Sequence, residues 1–150
     1  MPPAIYLLGS QALVDSARNE RTAIHDWAER ENLLDTDVCA SVISFTIFRT
    51  AVDESPVNER TAWQRAFSET LTRFRRQPGN LRPVSAEIAV RAGELRAMTL
   101  TSRDGSDVGP LRRLVVATAL EERLTLVERR EPWHRLLERQ HGLRLHDPES

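Results

Sequence analysis

Residues 4–19, AIYLLGSQALVDSARN, run an apolar stretch straight into Gly9, Ser10 and Gln11. Ile5 to Leu8 is short, apolar throughout and ended by glycine, which suits a strand buried on both faces better than a helix. In α/β proteins, ligand-binding and catalytic groups gather at the carboxyl ends of such strands, because the loops there hang from a rigid sheet. This strand end carries no charged side chain.

Working outward, SARNERTAIHDWAEREN (16–32) is rich in helix formers and puts Ile24, Trp27 and Ala28 on one side, so a helix or helix pair follows the strand. In VCASVISFTIFRTAV (38–52) a β-branched beginning predicts a strand over Cys39 to Ile43 that passes into a helix near Ser44. Trp63, Phe67, Leu71 and Phe74 then recur at helical spacing, with Arg60, Arg65, Arg73 and Arg76 around the remainder. QPGN (77–80) is turn chemistry, Ser85 is an N-cap for the next helix, and TSRDGSDVGP (101–110) reads as a loop. A helix after Pro110, a strand over 124–128, a short helix ending near Gly142 and a last strand in LRLHDP complete the chain. The order β, α, β, several α, β, α, β predicts a three-layer α/β/α fold, a mostly parallel sheet with helices on both faces.

At 150 residues and 40% hydrophobic, the chain is expected to form a single domain over 1–150. Its 21 basic and 22 acidic groups leave a formal charge of -1, so no net field draws in nucleic acid or an anionic membrane. All the basic residues are arginine, and a composition skewed in this way is accounted for by GC-rich coding. Cys39 is the only cysteine, which excludes a disulfide framework and a cysteine-based zinc site. No basic segment leads into an apolar stretch at the start, and no apolar run approaches the ~20 residues of a membrane span. A cytoplasmic protein without membrane contact is expected. His25, His134, His141 and His146 lack metal-ligand spacing, apart from Asp147 beside His146, and read as hydrogen-bonded or solvated.

The order of segments resembles PIN-domain proteins of the VapC toxin type. IYLLGSQALVDSAR (5–18) is similar to their opening strand, motif and helix, SVISFTIFR (41–49) to the second strand and helix, and SAEIAVRAGELRA (85–97) to a middle helix. LRRLVVATALEERLTLVERR (111–130) is similar to the late helix and strand, and GLRLHDP (142–148) to the closing strand. The resemblance implies a PIN-like fold over nearly the whole chain. It also implies descent from metal-dependent ribonucleases, in which carboxylates from separate segments hold Mg²⁺ or Mn²⁺ and position a water against a phosphodiester.

Carried over position by position, the family's acids fall on Gly9, Gln11, Ile47 and Arg112, or on Arg113 if the register shifts by one. The last acidic position lies among Arg130 to Trp133, where only Glu131 could serve, and Asp15 matches a position that is often acidic but is not a ligand. Replacing acids with Gly, Ile and Arg removes hard oxygen ligands and adds positive charge, so no metal and no catalytic residue is expected at this strand end. A VapC-related protein without nuclease activity follows, acting by protein–protein contact, with an antitoxin-like protein or a second copy, or by RNA binding.

An alternative register starts the motif at Asp35 and Asp37, with Glu69, Asp107 and Glu128 following, and would restore a Mg²⁺- or Mn²⁺-dependent ribonuclease toxin of a type II toxin–antitoxin system. Asp35 and Asp37 are equally the residues of a turn between helix and strand. Two further expectations attach to the first register. Ser10, Arg112 and Arg113 are candidates for anion binding, unless Arg112 pairs with Asp15 or Glu131. The stripe of Trp63, Phe67, Leu71 and Phe74 is a candidate homodimer surface.

Overall fold

The structure, a computed structural model, describes residues 4–150. Five parallel strands form one sheet in the order β3-β2-β1-β4-β5: β1 is Tyr6–Leu8, β2 Val38–Ser41, β3 Leu81–Arg82, β4 Thr125–Val127 and β5 Leu145–His146. The helices are α1 (Ser10–Ser16), α2 (Ala23–Arg30), α3 (Val42–Asp53), α4 (Val57–Arg76), α5 (Ala86–Arg96), α6 (Pro110–Glu122) and α7 (Pro132–His141).

The strand pleat sorts the core into two halves. Leu7, Cys39 and Leu126 face one side, where they pack against Ile88 and Leu95 of α5, Val115 and Val116 of α6, and Leu137 of α7. Leu8, Ala40 and Val127 face the other, against Leu13 of α1, Trp27 of α2, Phe45 and Phe48 of α3 and Phe74 of α4. A strand covered on both faces has no polar side to show, which is why its sequence is apolar without alternation. The Cys39 thiol, pushed up to about 11 by burial, donates to the Tyr6 carbonyl at 3.3 Å and belongs to the core.

Three expectations need correction. β3 was not anticipated: a two-residue edge strand between Asn80 and Pro83 has no periodicity of its own, and it is defined by pairing with Ala40 and Ser41. β2 ends at Ser41 rather than Ile43, because the Ser41 hydroxyl accepts from the Ile43 N–H at 3.0 Å and starts α3 there. The apolar stripe of α4 is in part taken up by the chain's own core, with Trp63, Phe67 and Leu71 left half-buried. Phe74 is buried, and Trp63, Phe67 and Leu71 pack on the same core, with Phe67 edge-on to Phe45 and Phe48 at ring separations of 6.0 and 5.2 Å. Ser85, by contrast, caps α5 as expected, accepting from the Ile88 N–H at 3.2 Å.

Phe48 is fully buried between the Trp63 and Phe67 rings. Phe48→Ala is expected to destabilise the fold by about 3–5 kcal/mol through lost transfer energy and a cavity, read as a lowered urea midpoint at unchanged slope.

Candidate functional site

The chain leaves β1 toward β2 on one side and later returns through β4 on the other, so the crevice outside the carboxyl ends of β1 and β4 is the sheet's topological switch point. A pocket opens there, lined by Ser10, Gln11, Arg103, Arg112, Glu128, Arg129 and Glu131. Gly9 ends β1 and caps α1, Arg112 lies in the first turn of α6, Glu128 follows β4, and Glu131 caps α7.

Gly9 has an ordinary φ of -66, so its backbone does not require glycine. Space does. A Cβ at position 9 would stand 2.4 Å from Glu128 Oε1 and 2.9 Å from Glu128 Cδ. The carboxylate of Glu128 therefore occupies the volume into which any side chain from the end of β1 would project.

Glu128 is only 6% exposed, and a buried charge needs partners. His134, fully buried in α7, lies with Nε2 2.5 Å from Glu128 Oε2, while its Nδ1 accepts the Glu131 backbone N–H at 2.8 Å. Accepting at Nδ1 fixes the neutral tautomer with the proton on Nε2, which donates to Glu128. Both ring nitrogens are thereby committed, and His134 has no basic nitrogen to offer a substrate.

The positive charge comes from Arg112, whose Nη2 lies 3.6 Å from Glu128 Oε2 and donates to Glu131 Oε2 at 3.0 Å. Its guanidinium also lies over the Trp133 ring, 5.0 Å from the centroid. Glu131 is engaged further by the Arg103 N–H at 2.8 Å and the Trp133 indole N–H at 3.2 Å. Burial pushes the Glu131 carboxyl up, but the Arg103 N–H, the Arg112 guanidinium and the indole N–H together hold it below its ordinary 4.5.

Of the residues expected at this site, Gly9, Ser10, Gln11 and Arg112 do gather at the strand ends, and Ile47 lines an adjoining cavity with Ser10 and Gln11. Gln11 turns to Asp15, donating at 3.0 Å, and Asp15 pairs with Arg18 rather than Arg112. Arg113 is not an anion site: it is 2% exposed and holds the carbonyls of Val108, Leu95 and Met98 and the carboxylate of Asp107. The alternative register does not assemble. Asp35 and Asp37 form a 3-10 turn before β2, at the opposite ends of the strands, with Asp37 accepting from the Leu34 N–H. Glu69 is exposed on α4 and Asp107 is paired to Arg113, so of that set only Glu128 reaches the strand ends. His134 and the pairing of Glu128 with Gly9 were not anticipated. The one local signal was a residue capping a helix with His three positions on, which occurs in Thr22–His25 and again in Glu131–His134.

The donor set does not fit a divalent cation. Mg²⁺ or Mn²⁺ would need several oxygens converging at close to 2 Å, whereas the two carboxylates here converge on an arginine nitrogen. Among the described residues, no three His, Cys, Asp or Glu side chains form a group able to hold a metal ion.

The same fold occurs in solved structures, among them a toxin–antitoxin complex from Klebsiella pneumoniae, with a TM-score of 0.62 at 18% identity over 95% of this chain and 97% of that one. FitAcB from Neisseria gonorrhoeae superposes with a TM-score of 0.73 at 17% identity, over 97% of this chain and 99% of that one. VapBC2 from Rickettsia felis, bound to a DNA fragment from their promoter, gives 0.67 at 22% identity over 95% and 97%. VapBC-1 from nontypeable Haemophilus influenzae gives 0.63 at 18% over 97% and 99%. The fold is PIN-like. No family model matches the sequence, and none of the curated proteins matches it by sequence.

Because the Glu131 carboxyl is held low, its contribution to stability is present above the ordinary value of 4.5 and is lost as pH falls through the lower folded value. Glu131→Gln is expected to cost about 1–3 kcal/mol at neutral pH, from charged hydrogen bonds. The gap from wild type should narrow in thermal melts as the pH is lowered below 4.5.

Proposed function

We propose that this chain is a VapC-related PIN-like protein that does not cleave RNA and acts by binding a protein partner of the antitoxin kind. The observation that carries this reading is the Glu128–Arg112–Glu131 cluster, with His134 behind it, in the crevice where a ribonuclease of this fold would hold its metal. Both carboxylates there are already engaged by one guanidinium, which supplies neither an activated water nor an open coordination position. His134 adds no general base, since both nitrogens are engaged.

The antitoxin-like partner is supported by the shared fold with chains solved in toxin–antitoxin complexes, over nearly their full length. Self-association through α4 has a smaller apolar surface to draw on than the sequence suggested, since Phe74 is buried and Trp63, Phe67 and Leu71 are half-buried against the chain's own core. Among the described residues, no helix is long and apolar enough to cross a membrane. RNA binding without cleavage remains compatible with the exposed arginines of α4, Arg65, Arg73, Arg75 and Arg76, which form no ion pair among the described residues.

The rival reading, a Mg²⁺- or Mn²⁺-dependent ribonuclease toxin, retains Glu128 and Glu131 as the acids lining this pocket. Wild type and Glu128→Gln/Glu131→Gln are to be incubated with a panel of RNAs and either metal. No cleavage by wild type above that of the double variant is expected, and metal-dependent cleavage lost in the variant would overturn the reading. Co-expression with the product of an adjacent small gene, followed by sizing, is expected to give a stable heteromeric complex.

A further inference from the structure

The strand-end cluster poses a problem of charge. Glu128 is 6% exposed, and Glu131 shows only 14% of its side chain, yet both carboxylates stand beside the same nitrogen, Arg112 Nη2, at 3.6 and 3.0 Å. His134 contributes a hydrogen bond but no charge, because its Nδ1 accepts a backbone N–H. Among the described residues, Arg112 is the only arginine in an ion pair with either carboxylate. Arg112 also lies in the first turn of α6, where the helix dipole disfavours a cation. Its place there needs a compensating attraction, and the two carboxylates and the Trp133 face supply it.

We infer that Arg112 is the pocket's resident counter-cation, in the place of a metal, and that Gly9 and Glu128 form one coupled unit in which the carboxylate at the end of β4 occupies the space beside the end of β1. This rests on the reading that the pocket is not a metal site. The coupling follows from the 2.4 Å between a Cβ at position 9 and Glu128 Oε1. A side chain at 9 requires the Glu128 carboxylate to shift, and that shift disturbs the Oε2 contacts to His134 and Arg112. Position 9 is held to glycine by Glu128, and Glu128 is held in place by Arg112 and His134. The counter-charge to the two carboxylates is thus covalently part of the chain.

Two coupling measurements test the inference by thermal or urea unfolding. Arg112→Gln is expected to be markedly less stable than wild type, but to have little effect in the Glu128→Gln/Glu131→Gln background, where no carboxylate needs a counter-charge. If Arg112→Gln fails to fold, the triple variant is expected to fold. An equal loss in both backgrounds, or a triple variant that also fails to fold, would overturn the resident-cation assignment. Gly9→Ala is expected to lower the melting temperature in the wild-type background and to lose most of that effect beside Glu128→Ser. An undiminished effect there would overturn the coupled unit. Addition of MnCl₂ to wild type separates the two levels of the argument. A specific rise in melting temperature would overturn the metal-free reading itself, whereas Mn²⁺ without effect, together with absent coupling, would overturn only the present inference.

Discussion

The central strand β1 has a parallel neighbour on each edge and a helical layer on each face, and the other elements are arranged around it. Such a strand can be built only from apolar residues, because any polar side chain along it would be buried in one core or the other. Leu7 and Leu8 fill these positions on opposite sides. Chemistry is left to the residue after the strand, where the sheet ends and β4 runs alongside. The Gly9 N–H donates to the Val127 carbonyl at 2.9 Å, which fixes how closely the two strand ends approach.

That approach explains the cluster above it. With the backbones of residues 9 and 128 held next to each other, one side chain fits between them, and here β4 provides it. Glu128 then requires a hydrogen-bond donor and a positive charge in a place sheltered from water. α7 presents His134 and α6 presents Arg112, and Glu131 closes the set from the N-cap position of α7, where the helix dipole favours negative charge. A buried ion pair of this kind is a weak source of net stability compared with apolar packing, but removing one partner alone is costly. The cluster is therefore sensitive to single substitutions.

Arginine pairs that look alike along the chain have different fates. Arg112 and Arg113 are adjacent, yet one faces the strand-end crevice and the other is buried across the carbonyls at the end of α5. Arg129 and Arg130 pair with Glu149 and Glu138, while Arg75 and Arg76 have no carboxylate among the described residues. Adjacent residues on a helix point about 100° apart, and so meet different neighbours.

Much of the fold was legible in the sequence, because it is written in local patterns. The apolar run at Ile5 to Leu8, the helical spacing of Trp63 to Phe74, the Ser85 cap and the Pro110 and Gly142 boundaries each depend on a few consecutive residues. Only the tertiary structure decided which strands are neighbours, and this adjacency made Gly9 and Glu128, more than a hundred positions apart, parts of one contact. It likewise placed β3 by pairing alone, drew the α4 stripe inward, and turned Arg112 toward two carboxylates and Arg113 toward three carbonyls. The physical reason is range: propensity and periodicity act within a turn or two of chain, whereas steric exclusion and charge compensation act between whichever side chains the folded sheet brings together.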